Sequence, residues 1–542
     1  MKRFLLTICL FWGVIPLCAQ DVFAPWRASW AKTAEACKPE LSVETVLPSC
    51  RVEIVPDASE YQGYKAVPAS TPLYGEPLEE GVPVFYDLGR HVTGYLTVNF
   101  QITRRCQDAP VRLRLFFGEL PSEMTAPLEP WASDLGRGWM QEEILTVEDL
   151  SRPLEIPRRL SGRYLSIELL SGSRGFDFTV SEVSFKAVSS ASFSEYAPDG
   201  NSAGALYDRA LNTLRECMQT VYEDGPKRDR RLWGIDAYFG TLSNNSTFKN
   251  HNLTKRCLYL LASLSSEEGL LFADVFETPS PHPQDGNISL DCSLFYPRML
   301  LEYAKATGDV ETVRDLWPVV VRQVEAAKEH LTAEGLFCPS VTGKYSWLIF
   351  DWNEGLDRDV QTQGIMIWAL RGCSQLAEMI GERRRSAEFD AFANKMAKAV
   401  LKHCYDRRAR LFVSGPERQV SWNSQIWMVV SGVVSGERAV AALESVARDP
   451  KALTPGTPAA NHFLVEAYLM SGLNSKAGEL LTSYWGGMVT DQTDTLFEVY
   501  DPSNDYTSPY GSWQVNSYCH LWSTTPLFFF RTATSSPQSL RD

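Results

Sequence analysis

The sequence predicts a multidomain β + α chain, with an N-terminal antiparallel β-sandwich over residues 21–195 followed by a domain of helical hairpins over residues 196–535. Two changes of rhythm and one break predict it. Apolar residues alternate with polar ones from about Val52 to Val188, the period of a strand with one buried face. From Leu206 onward the apolar positions recur at helical spacing nearly to the end. Between them the run Ala187–Ser202, rich in Ser and holding Pro198, Asp199 and Gly200, reads as a linker.

Each element has its own signal. Leu96, Val98, Phe100 and Ile102 are spaced by Thr97, Asn99 and Gln101, and Val111, Leu113 and Leu115 by two arginines. Leu165, Ile167 and Leu169 repeat the pattern, as do Phe176, Phe178 and Val180, with Ser171, Gly172, Ser173 and Gly175 as the turn between them. After the linker, Leu206, Ala210, Leu214, Cys217 and Val221 form one helical stripe. Gly308-Asp309, Gly381-Glu382, Gly436-Glu437 and Gly472 punctuate the helices, as glycines that end a helix do. Ala203–Phe530 is long enough for twelve helices with ordinary loops, so six hairpins closed in a ring fit. An open solenoid fits the length too, but no self-similar repeat is visible.

The chain has 542 residues, 44% of them hydrophobic and 22% charged, enough to bury the cores of two domains. A net charge of −14 repels phosphate backbones and anionic lipid, so nucleic acid is not an expected partner. The 15 Trp and 21 Tyr exceed what a core requires and suit a ligand with flat apolar faces, of which a sugar ring is one.

Met1–Gln20 reads as a secretory signal peptide, with Lys2 and Arg3, an apolar run Phe4–Leu17, and small residues at Cys18 and Ala19. Gly13 and Pro16 interrupt the run, so removal is expected rather than a membrane span, with the periplasm as destination. A lipoprotein acylated at Cys18, or a cell-surface address, is the weaker reading because Leu17 is bulky. Residues 536–542 are a tail. The remaining cysteines are irregularly spaced with no CxxC, so no zinc site, metal or cofactor is expected; Cys37 and Cys50 are the closest candidates for a disulfide.

Chemistry is concentrated in two segments. Glu223–Asp236 crowds Asp224, Asp229 and Asp236 with Lys227, Arg228, Arg230 and Arg231 beside Trp233, and Gly225 and Pro226 keep it out of helix. Such a loop can offer acceptors, donors and a stacking wall to a polyhydroxylated ring; as a bare charge run it reads equally as a surface salt-bridge cluster. The second segment runs from Asp491 through Asp494 and Glu498, past Tyr500, Tyr506, Tyr510 and Trp513, to Ser517–Ser523. Glycosidic hydrolysis needs one carboxylic acid and one carboxylate, and distant segments can supply one each. Asp501, Asn504 and Asp505 also offer oxygens to calcium, although their spacing matches no standard loop. His91, His251, His282, His330, His403 and His462 have no partner pattern and read as surface or core residues, and Trp368 and Trp427 as core.

The string Asp224-x-Pro-x-Arg-Asp-Arg-x-x-Trp-x-x-Asp236, then Trp347-Leu-Ile-Phe-Asp351-Trp352, then Thr495-Leu-Phe-Glu498 with Cys519-His520-x-Trp-Ser, resembles the signature of bacterial α-L-rhamnosidases, glycoside hydrolase family 78. Tyr86-Asp-Leu-Gly89 to Gly94-Tyr95 is similar to the β-sandwich preceding the barrel in that family. The resemblance implies an (α/α)6 six-hairpin barrel, an inverting mechanism, no cofactor, and a carbohydrate with terminal rhamnose as substrate. It implies Asp229 as general acid and Glu498 as base. Asp224, Arg228 and Asp236 would hold sugar hydroxyls, Trp233 and Trp352 would wall the pocket, and Asp351, which precedes the second wall, and His520, near the base, would bind the substrate as well. Many members carry Glu directly after the Arg-Asp pair, where this chain has Arg230, so Asp229 serves as the nearest carboxyl. The C-terminal β-domain common in the family is expected to be missing. The alternatives are another sugar on the same barrel, or a sugar-binding relative without turnover.

Overall fold

The computed structural model describes residues 21–192, 202–337, 345, 347, 348 and 350–534. The segment read as a signal peptide, the boundary expected at 195/196 and the expected tail lie outside the described residues.

The N-terminal strands are β1 (Ser42–Val46), β2 (Cys50–Pro56), β3 (Tyr64–Pro68), β4 (Val84–Arg104), β5 (Val111–Gly118), β6 (Glu142–Val147), β7 (Leu154–Glu155), β8 (Leu160–Ser171) and β9 (Asp177–Ser189). They form one connected sheet in the order β1-β9-β4-β8-β5-β6, with β2, β3 and β7 attached beside β4, and every pairing is antiparallel. The long β4 makes the connection. Its first half pairs with β8 and its second half with β9, with a register shift between Asp87 and Val92. The sheet thereby folds over its own core, where Phe117 of β5 stacks on Phe185 of β9 at 5.2 Å. The apolar alternation read from the sequence faces this core: Leu96, Val98, Val111, Leu113, Leu165 and Ile167 are all buried.

One element inside the expected β-domain is helical. α1 (Ala24–Ala36) packs on the helical domain rather than on the sheet, burying Phe23, Trp30 and Ala34 in that core. Arg256 Nη1 donates to Ala34 O at 2.8 Å, and Arg27 Nη1 donates to Ser265 O at 2.6 Å. Alternation could not reveal it, because the segment carries one narrow apolar stripe on an otherwise polar helix. Cys37 and Cys50 are both free thiols, so the disulfide expected between them is not formed.

Among the described residues the helical domain has α2 (Ser202–Cys217), α3 (Gly234–Ser246), α4 (His251–Ser263), α5 (Leu290–Thr307), α6 (Val310–Lys328), α7 (Asp359–Met379), α8 (Arg383–His403), α9 (Trp422–Val430), α10 (Gly436–Ala447), α11 (Pro458–Met470), α12 (Asn474–Leu480) and α13 (Pro526–Thr534). α3, α5, α7, α9 and α11 pack in succession around an axis, and α13 returns to α3. The ring of His462 on α11 meets Phe528 and Phe529 on α13, closing the circle and excluding the solenoid. The even-numbered helices make the outer layer. Inner helices such as α7 and α11 bury nearly every residue, whereas outer α8 buries one stripe, Ser386, Phe389, Ala393, Met396 and Val400. Trp368 and Trp427 lie 5.6 Å apart in the axial core, as their apolar neighbours in sequence predict.

Gly308 takes φ of 71° after α5, and Asp309 then caps α6 by accepting from Thr312 N at 3.1 Å. Gly436 differs from expectation: it opens α10, and Gly432, with φ of 70°, follows the end of α9.

Candidate active site

The N-terminal ends of the inner helices meet at one mouth of the barrel, where the dipoles favour negative charge. Asp236 stands in the first turn of α3, Trp352 lies shortly before α7, Asn461 stands in the first turn of α11, and His520 precedes α13. They border a cleft of about 1120 Å³.

The Glu223–Asp236 loop is not a surface salt-bridge cluster. Asp224, Lys227, Arg228 and Asp236 are all buried. Each cation has an assigned place. Lys227 Nζ crosses the domain seam to Glu123 Oε1 at 2.6 Å and Glu119 Oε2 at 3.1 Å, both just beyond β5. Arg230 Nη2 reaches Gln141 Oε1 at 3.1 Å, and Arg231 Nη1 reaches Asp274 Oδ2 at 2.7 Å. Arg159 of the β-domain grips Glu223 through both carboxylate oxygens at 2.6 Å. The β-domain therefore holds the outer side of the loop and leaves its inner side to the cleft.

Arg228 faces inward. Its Nη2 donates to both oxygens of Glu498 at 2.8 Å, Nη1 donates to Asp229 Oδ1 at 2.7 Å, and Nε donates to Val515 O at 2.7 Å. The guanidinium lies 4.2 Å from the ring centre of Tyr510, whose hydroxyl donates to Glu498 Oε1 at 2.6 Å. Ser517 N donates to Glu498 Oε2 at 2.8 Å, so the carboxylate is fixed on three sides. Backbone bonds stitch the segments together: Glu498 N to Ser517 O, His520 N to Leu496 O, and Leu521 N to Asp224 O.

Asp224 accepts from Asp229 N at 3.1 Å. Burial, and then the neighbouring Asp229 carboxyl, push Asp224 well above the usual carboxylate range. Burial, followed by Asp224 and Glu498, does the same to Asp236, whose Oδ1 has no hydrogen-bond partner. His520 stands 3.7 Å from Asp236 Oδ1 and 3.8 Å from Glu498 Oε1. Burial first and Arg228 second lower its imidazole to about 3, so it is neutral at physiological pH. Asp236 Oδ1 and His520 Nδ1 therefore face each other at 3.7 Å, both closed off from water and neither hydrogen-bonded.

The aromatic walls are Trp352 against Trp522 at 4.7 Å and Trp233 edge-on to Trp347 at 6.2 Å. Leu135, from the β-domain excursion between β5 and β6, reaches the same cleft.

Eight of the residues expected from sequence therefore share one cleft: Asp224, Arg228, Asp229, Trp233, Asp236, Trp352, Glu498 and His520. Asp351 does not face it. It is fully buried beneath, accepting from Trp352 N and Gly456 N at 2.7 Å and from Asn423 Nδ2 at 3.1 Å, so it positions the wall instead of touching a ligand. Tyr510 and Trp522 border the cleft too, and the signal for them in the sequence is their place in the aromatic-rich segment after Glu498. Asp501, Asn504 and Asp505 use their oxygens on backbone turns and on Gln62 N.

A closed ring of helical hairpins with carboxylates gathered at one mouth defines a six-hairpin glycosidase. Residues 48–187 match the glycosyl hydrolase family 78 alpha-rhamnosidase N-terminal domain, and residues 196–533 match the bacterial alpha-L-rhamnosidase six-hairpin glycosidase domain. The chain belongs to the glycosyl hydrolase family 78 alpha-rhamnosidases. A rhamnosidase from Klebsiella oxytoca with rhamnose bound is similar over 94% of this chain and 99% of its own, at 35% identity and a TM-score of 0.88. The family 78 rhamnosidase of Bacillus sp. GL1 is 20% identical with a TM-score of 0.69, over 87% of this chain and 49% of its own. An alpha-L-rhamnosidase from Streptomyces avermitilis complexed with L-rhamnose is 15% identical with a TM-score of 0.63, over 91% of this chain and 44% of its own. The likeness to the last two is one of fold. No curated protein matches the chain.

Proposed function

We propose that the chain hydrolyses terminal α-L-rhamnose from oligosaccharides or glycoconjugates with inversion at the anomeric carbon. The observation that carries this reading is the Arg228 guanidinium, which holds Asp229 on one arm and Glu498 on the other within one cleft. Carboxylates on separate arms of one fork suit the spacing of about 6.5–9.5 Å that leaves room for a water between acid and base. Asp229, with 14% of its side chain exposed, presents the acid, and Asp224 is the buried carboxyl beside it, held well above the usual carboxylate range by burial and by Asp229. Asp229 gives its proton to the glycosidic oxygen as the bond to the anomeric carbon breaks. Glu498 takes a proton from the water whose oxygen bonds that carbon from the opposite face. Asp236 and His520 hold hydroxyls, and Trp352 and Trp522 cover an apolar face of the ring. Family membership and the rhamnose in the Klebsiella relative support the choice of sugar.

Product analysis by NMR during hydrolysis of an aryl α-L-rhamnoside tests both parts. The β-anomer should appear first; first appearance of the α-anomer ends the inverting reading. Turnover of other aryl glycosides but not rhamnosides ends the choice of sugar.

We also infer export to the periplasm, supported by the basic, apolar and small-residue order of Met1–Gln20. Fractionation with N-terminal sequencing should find a periplasmic chain beginning near Asp21, and an uncleaved cytoplasmic chain would end this reading.

A further inference from the structure

At the mouth of the barrel opposite the cleft is a second cavity, of about 460 Å³, within the size range of small-molecule sites. Arg298 of α5 and Arg371 of α7 both border it. The Nε atoms of both are buried without a hydrogen-bond partner, and so is the hydroxyl of Ser431, a residue only 1% exposed at the end of α9. These three atoms are closed off from water, so what the cavity meets is the two guanidinium ends beyond Nε. Arg371 reaches the carbonyl of Gly432 only at 3.3 Å, and Arg298 lies 3.9 Å from Glu302. Holding the carbonyl of Gly432 accounts for part of the Arg371 charge, and Glu302 and Glu466 face that of Arg298.

The arginines are seated for the position they take. Gly372 exposes bare backbone where a Cβ would stand 2.6 Å from Cδ of Arg298, so that side chain lies across α7 with its guanidinium 4.5 Å from the ring centre of Trp368. The carboxyl bordering the cavity is Glu466, which burial raises to about 7 against the opposing pull of Arg298. The rest of the lining is apolar, including Val430, Leu469 and Met470, with Met470 56% exposed at the rim.

We propose that this cavity binds a small organic carboxylate with an apolar body, its carboxylate held by the guanidinium groups of Arg298 and Arg371. Paired guanidinium donors select a planar anion, and the apolar lining favours an organic acid over inorganic phosphate. The site lies apart from the sugar cleft and needs no turnover.

The test is a titration of the full chain with 3-phenylpropionate, its neutral amide and inorganic phosphate, followed by ligand-observed NMR and tryptophan fluorescence. The carboxylate should bind saturably, unaffected by added rhamnose, while the amide and phosphate should bind at least about tenfold more weakly, the scale of one lost charge-assisted pair. Arg371→Met, at a half-buried position, should weaken binding by about the same factor with hydrolysis of an aryl rhamnoside unchanged. Arg298→Met gives an independent second reading, with circular dichroism to confirm folding. Absence of saturable binding, equal affinity in Arg371→Met, displacement by rhamnose, or preference for phosphate would each overturn the proposal.

Discussion

Arg228 and Glu498, 270 positions apart in the chain, meet through one Nη2 that stands 2.8 Å from both carboxylate oxygens. The other arm of the same guanidinium carries Asp229, so one side chain sets the distance between the two carboxyls of the proposed reaction. Arg228→Lys keeps a charge but loses the fork. We expect kcat/KM on an aryl α-L-rhamnoside to fall about 100-fold, the scale of a misplaced catalytic group. Arg228→Met leaves Glu498 buried without its cation and should cost about 3–5 kcal/mol in urea unfolding. A wild-type rate in Arg228→Lys would refute the positioning role.

The Asp224–Asp229 pair separates by leaving group. A variant lacking the general acid suffers most with a poor leaving group, because an activated phenol departs without a proton. Asp229→Asn should therefore lose about 100-fold or more on an alkyl rhamnoside and far less on a dinitrophenyl rhamnoside. Asp224→Asn should lose activity more evenly across the two. The reverse pattern would move the acid to Asp224.

The domain seam is load on the active-site loop, since Lys227 lies between Glu119 and Glu123 with no access to water. Lys227→Met leaves the buried Glu123 without its cation and Glu119 with only His91, and should lower stability by about 3–5 kcal/mol, read as the urea midpoint. Kinetics should worsen in kcat before KM, as the loop loosens. Unchanged stability would mean that the β-domain does not support the loop.

The buried histidines make a contribution to stability that should fall in acid. Burial lowers His462 to about 3, below the ordinary value of a histidine in the unfolded chain. Below about pH 6.5 the unfolded state therefore binds the extra proton, and the contribution of His462 is lost as pH falls toward 3, at up to about 1.4 kcal/mol per pH unit. His520, lowered to about 3 as well, acts with the same sign. The ring of His462 lies among Phe239, Phe463, Phe528 and Phe529, so His462→Phe should flatten the plot of urea midpoint against pH between 6 and 4. A slope equal to wild type would sink this account.

Both architectures and most of the candidate site are legible in the order of residues alone. Alternation at Leu96–Ile102 and helical spacing from Leu206 are local consequences of side-chain periodicity, so they are legible without coordinates. The motif residues Asp224, Arg228, Asp229, Trp233, Asp236, Trp352, Glu498 and His520 were legible as two chemically dense segments, and their resemblance to a family ordered them. The tertiary structure decided what each charge does. Lys227 and Arg228 are neighbours of the same sign in the chain, yet one turns to the β-domain and the other to Glu498, because partners for buried charges come from segments hundreds of residues away. Asp351 read as a ligand contact from its place beside Trp352, and only packing puts it beneath the wall. The docking of α1 and the second mouth of the barrel are likewise products of ring closure, a long-range event that no local period encodes.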